Sequence, residues 1–143
     1  MRCVDVNVVV YAHRPESPEH ERYREWLDQA RAGHEPLGIS ELVLSGFLRV
    51  VTHPRVFREP TPLAVALDFA EGLRGSPATQ PVAPGERHWQ IFADLCRRTG
   101  ATGNVVPDAF LAALAIEQSA VWVTADRTFS RFPGLRSEHP LDG

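Results

Sequence analysis

The chain has no lysine; all 15 of its basic residues are arginine. This excludes mechanisms that need a lysine, as Schiff-base amine or as the point charge on a phosphoryl group. No apolar run approaches the roughly 20 residues that cross a bilayer. The opening MRCVDVNVVV lacks a signal-peptide layout, because an aspartate interrupts it at once. Cysteine is scarce: Cys3 and Cys96 lie in apolar surroundings and read as reduced core residues, which excludes a disulfide framework and fits a cytoplasmic protein. The six histidines show no HxH or HExxH spacing, so zinc chemistry has no ligand pattern here. Positive charge in bulk is also missing. A formal net charge of −3 argues against a protein that coats nucleic acid, yet leaves room for an enzyme that grips RNA with a few local arginines.

What is present fits one domain. The 143 residues, 43% hydrophobic and 23% charged, can bury one core and hardly two, and no repeat, linker or low-complexity segment divides them. The first segment, Arg2–Tyr11, admits two readings. It is one strand, by the propensity of Val8–Tyr11, or a short strand ended by Asp5 with a helix capped by Asn7. Glu19–Ala32 shows Tyr23, Trp26, Leu27 and Ala30 at helical spacing and stops at Gly33. Pro36–Ile39 reads as a strand, and Ser40 caps a helix Leu42–Val51 that is apolar almost all round and therefore buried. Thr61 and Pro62 read as N-cap and first residue of a helix with inner stripe Leu63, Ala66, Leu67 and Ala70. Thr79–Val82 is a third strand. Glu86–Thr99 is a helix whose stripe of Trp89, Phe92, Ala93 and Cys96 reads as core, and Gly100 closes it. An alanine-rich helix opens around Pro107, a buried strand follows at Val121–Val123, and Leu135–Leu141 makes a weak edge strand. Strands alternating with helices predict an α/β fold with a largely parallel central sheet.

Three aspartates stand at element ends. Asp5 lies between two valines, and a buried carboxylate is costly unless it is paired, hydrogen-bonded or bound to a metal. A cap for the next turn is an equal alternative for Asp5. Asp108, in the first turn of a helix, has a plain electrostatic explanation in the helix dipole. Asp126, past the strand, has one as a turn residue or as the cap of Thr128–Arg131. All three map to the rim of a sheet, where α/β proteins bind ligands. Clustered there, they would repel one another unless a cation of the Mg²⁺ or Mn²⁺ kind, which prefers oxygen, filled the pocket. Arg49, Arg55 and Arg58 suit either phosphate contact or a solvated face.

The pattern Asp5-Val-Asn7, Pro107-Asp108-Ala109 opening an alanine-rich helix, and Thr124-Ala125-Asp126 followed by Phe129 resembles the PIN-domain ribonucleases. The stretches GFLRVVTHPRVF and RFPGL…HPL look like the mycobacterial subgroup of VapC toxins, and the likeness runs over essentially the whole chain. It implies a single PIN domain over 1–143, with a parallel sheet covered on both faces, a strand ending near Asp5 and a helix starting near Asn7. It also implies a Mg²⁺- or Mn²⁺-dependent endoribonuclease acting on tRNA or rRNA, a cognate VapB antitoxin and a homodimer. In that reading Asp5, Asp108 and Asp126 hold the metal or orient water, and Asn7 and Thr124 orient the acids. One position departs from the pattern. Most PIN domains carry a glutamate in the second helix where this chain has Gly46. Glu41 lies five residues earlier, roughly 140° around a helix, at the end of the strand Pro36–Ile39, and is a candidate fourth acid.

Two rival classes remain. With Gly46 at that position, the chain could bind RNA and block translation without cutting it. A phosphatase or receiver domain built on Asp5 would need a lysine, and Asn7 replaces the second acid of the phosphatase pattern.

Overall fold

The computed structural model describes residues 1–142. Five strands form one sheet in the order β3-β2-β1-β4-β5, every neighbouring pair parallel. They are β1 (Arg2–Val4), β2 (Leu37–Ser40), β3 (Thr79–Val82), β4 (Val121–Val123) and β5 (Arg136–Glu138). Six helices connect them: α1 (Val6–His13), α2 (His20–Ala32), α3 (Glu41–Val51), α4 (Leu63–Arg74), α5 (His88–Thr99) and α6 (Val105–Glu117). A 3-10 helix, Arg127–Arg131, lies between β4 and β5.

All four residues of β2 are buried. Successive strand residues face opposite sides, so both faces of the sheet are covered there. Gly38 is what lets the strands and their cover close up: a Cβ on it would stand 2.7 Å from Cys3 Sγ and 2.8 Å from Val82 Cγ2. Pro81 is tolerated because β3 is an edge strand with one free side. The other edge, β5, is fully exposed and carries Arg136 and Glu138.

The N-terminal segment is a strand followed by a helix. Asp5 is the cap: its side chain accepts the Val6 N–H at 2.7 Å. Val8, Val9, Val10 and Ala12 are then buried on α1, and that burial outweighs the strand preference of a valine run. Asn7, one expected cap, is inside the helix.

Four expectations need correction. α4 begins at Leu63 after Pro62 with no side-chain cap. Thr61 Oγ1 is instead taken by His13 (3.1 Å) and Arg14 (3.0 Å), which tie the α3–α4 connector to the end of α1. On α4, Ala66 and Ala70 face inward as expected and Leu73 joins them, while Leu63 and Leu67 are exposed. Leu42 is exposed on α3, so that helix buries one face only. α5 starts at His88; His88 and Leu95 are buried and Phe92 and Cys96 pack half-buried against the core, but Trp89 is 69% exposed and is not core. No helix among the described residues is long and apolar enough to cross a membrane.

Candidate active site

In this strand order the winding reverses between β1 and β4, and the crevice outside the carboxyl ends of two such strands is where α/β sheets bind ligands. Asp5 follows β1 directly, and its N–H donates to Val123 O at 2.9 Å, across to β4. Asp126 comes three residues after β4 ends. Asp108 arrives from the first turn of α6. The three carboxylates line one pocket of about 330 Å³, together with Asn7, Tyr11, Gly46 and Arg49.

The two strand ends are stitched together by side chains. Thr124 donates its hydroxyl to Asp5 Oδ2 at 2.7 Å, and the Asp126 N–H donates to Thr124 Oγ1 at 3.0 Å. Asn7 Nδ2 donates to Thr124 Oγ1 at 3.3 Å and to Asp5 Oδ2 at 3.4 Å, while Asn7 Oδ1 accepts the Ala125 N–H at 3.1 Å. Asp5 is thus held in one orientation. Asp126 also caps the 3-10 helix, its Oδ1 accepting the Thr128 N–H (2.9 Å) and hydroxyl (2.6 Å). Its Oδ2 has no hydrogen-bond partner among the described residues.

The electrostatics are unfavourable for anions. Asp5 is buried, and burial pushes its pKa from 3.8 to about 6; the bonds from Thr124 and Val6 oppose this, and the charges of Asp108 and Asp126 add to it. The Asp108 carboxyl is also raised, first by burial and then by Asp126, with Arg131 acting the other way. Three like charges in mutual reach form a set that a cation would relieve.

The donor chemistry suits a hard cation, since every candidate ligand is an oxygen. Among the described residues, however, no three His, Cys, Asp or Glu side chains are gathered closely enough to grip an ion directly. The set fits Mg²⁺ as that ion is commonly held, by one or two carboxylates with waters completing the shell.

Glu41 does not join the other acids. It is exposed, pairs with Arg74 at 3.4 Å, and borders a different hollow with Ile39 and Thr79. The reason is positional. Glu41 is the first residue of α3, at the end of β2, on the side of β1 away from β4. Gly46 does line the pocket, and carries no side chain into it. Sequence reading passed over Tyr11 and Arg131. Tyr11 is four residues beyond Asn7, on the same face of α1, a signal usable only once the helix was chosen over the strand. Arg131 offered none, because its nearness to Asp108 depends on how the 3-10 helix folds back.

Fold and site define an α/β protein with an acid-lined pocket at the carboxyl edge of its sheet. The chain belongs to the PIN-domain family, whose sequence profile matches residues 2–135. It is 50% identical over 143 residues to Ribonuclease VapC43 of Mycobacterium tuberculosis, covering 100% of this chain and 97% of the relative. It is 39% identical over 140 residues to Ribonuclease VapC25 of the same organism, covering 98% and 99%. Among solved structures the fold resembles VapBC2 from Rickettsia felis bound to a promoter DNA fragment, at a TM-score of 0.72 with 20% identity over 96% of this chain and 97% of that one. It also resembles Mycobacterium tuberculosis VapC20, a toxin that cleaves the sarcin-ricin loop, at 0.65 with 19% identity over 95% and 99%.

Proposed function

We propose that this chain is the toxin of a type II toxin–antitoxin pair, an endoribonuclease dependent on Mg²⁺ or Mn²⁺ that cuts tRNA or rRNA in the cytoplasm and so stops translation. The observation that carries the reading is the convergence of Asp5, Asp108 and Asp126 on one pocket at the switch point of the sheet. The ribonuclease names of relatives at 50% and 39% identity support it.

Asp5 and Asp108 would hold the cation. When bound, it supplies a water of lowered pKa and neutralises charge developing on phosphorus. Thr124, Asn7 and the Val6 N–H fix Asp5, so little reorganisation is needed at the moment of reaction. Asp126 Oδ2 accepts a hydrogen bond from the attacking water and orients it, while Oδ1 stays tied to Thr128. The partners of the proposal are a cognate VapB antitoxin and a second copy of this chain. The exposed Leu42, Leu63, Val65 and Leu67 on α3 and α4 support a partner that covers them.

Purified protein should cut RNA with Mg²⁺ or Mn²⁺ and stop with EDTA. Asp108→Asn should lose cleavage and keep its fold by circular dichroism. Unchanged metal-dependent cleavage in that variant would remove Asp108 from the mechanism.

A second reading is an RNA-binding toxin that blocks translation without cutting. It is favoured by the looseness of the acid set and by Gly46, which brings no carboxylate to the pocket. Growth arrest with intact RNA would select it.

A further inference from the structure

We infer that Arg49 is the phosphate-binding residue of this pocket, holding the RNA backbone against the acid-lined wall. The inference rests on the ribonuclease reading and adds the group that makes an acidic pocket bind an anion.

Three carboxylates line the pocket, and Arg49 is the one cationic side chain that lines it with them. A polyanion brought to such a wall meets repulsion wherever a bound cation does not reach. Arg49 is placed to offset it. It is exposed in the last turn of α3, and among the described residues it has no hydrogen-bond or ion-pair partner. Arg2, Arg14, Arg22, Arg74 and Arg127, by contrast, each pair with an acid. The Arg49 charge is therefore available, and a guanidinium takes a phosphate through two parallel N–H bonds.

Gly46 sharpens the argument. Residues three apart on a helix are neighbours, so an acid at 46 would pair with Arg49 and consume its charge. With glycine there, the guanidinium stays free for RNA. A cation in the last turn of a helix is also explained by the helix dipole alone. Arg97, likewise in the last turn of its helix and likewise without a partner among the described residues, supplies the matched control, since it lies outside the pocket.

The test compares wild type, Arg49→Gln, Arg49→Lys and Arg97→Gln. Binding and single-turnover cleavage are measured on a randomised single-stranded oligoribonucleotide pool at several salt concentrations, after circular dichroism has established the fold of each. Arg49→Gln should weaken binding about tenfold. It should lower the slope of log affinity against log salt by about 0.7, the signature of one lost phosphate contact on a single strand. The cleavage rate at saturating RNA should fall by a smaller factor than the affinity does, the pattern of a group that acts mainly in binding. Arg49→Lys should regain part of the affinity, and it decides the matter should the glutamine variant misfold. Arg97→Gln should change neither quantity. Equal behaviour of the Arg49→Gln and Arg97→Gln variants would overturn the inference while leaving the ribonuclease intact. A wild type that neither binds nor cuts RNA would overturn both.

Discussion

Asp5→Asn should stabilise the metal-free protein at neutral pH, and by an amount that depends on pH. Folding moves the Asp5 carboxyl from 3.8 to about 6, chiefly by burial. The folded state therefore binds more protons than the unfolded one between those two values. The contribution of a protonated Asp5 is fully present below pH ~4 and is lost as pH rises through about 6, at a total cost of about 3 kcal/mol. The asparagine variant never carries this charge. It keeps an oxygen for the Val6 N–H and loses an acceptor for Thr124, at about 1 kcal/mol. The net gain should be about 2 kcal/mol at pH ~7.5, shrinking to about 0.5 kcal/mol at pH ~5 and to nothing near pH ~4.5. Urea denaturation in EDTA, followed by circular dichroism at these pH values, measures it. The difference between the two proteins cancels the other titrating groups, including the six histidines. Adding Mn²⁺ at ~100 times its dissociation constant should then return about 2.7 kcal/mol to wild type and much less to the variant. A variant less stable than wild type by the same amount at every pH would show that Asp5 is not a strained charge, and the electrostatic case for a bound cation would fail with it.

Two further outcomes follow from the geometry. Glu41→Gln should leave RNA cleavage unchanged and alter stability by less than about 0.5 kcal/mol, because its one ion pair, to Arg74, is exposed; a large loss of cleavage would put Glu41 back in the site. Cys3, buried and with its thiol pushed up to about 11, should resist iodoacetamide in the native protein at neutral pH while the half-buried Cys96 reacts first, as read by mass spectrometry.

Much of the site was legible because it depends on element ends, which short-range signals mark. Ser40 as cap, Gly33 and Gly100 as stops, and Val121–Val123 as a buried strand all follow from local chemistry. Ser40 and the strand Val121–Val123 also place the acids that follow them, Glu41 and Asp126, at the sheet rim. The register of half-apolar helices was less legible. On α4 the expected stripe is half right, with Ala66 and Ala70 buried and Leu63 and Leu67 exposed, and on α5 Trp89 is exposed while Leu95 is buried. Sequence records which residues are apolar, and close packing selects among them. Glu41 illustrates a third limit. Its angular offset from Gly46 was computable, but the strand it follows, β2, borders β1 on the side away from β4, and only the strand order tells that.

Gly46 shows that fold and chemistry constrain each other here. A Cβ at this position would stand 2.9 Å from Val6 Cγ2. Val6 opens α1, next to Asp5, and a β-branched side chain cannot swing aside as a long one does. Gly46→Glu should gain about 1 kcal/mol of helix propensity. It should lose about 1–3 kcal/mol to overpacking, and the strain falls on the segment that carries Asp5 and Asn7. The new acid would also pair with Arg49, one turn on. A single Gly46→Glu variant should therefore cut RNA more slowly than wild type, despite the added carboxylate. Val6→Ala in the same chain should restore the stability lost to crowding, since it removes the contacting methyl. Urea denaturation and cleavage rates on the same preparations separate the two effects. If Gly46→Glu alone proves as stable as wild type and faster, α1 and α3 part easily, and close packing is not what keeps an acid out of this position.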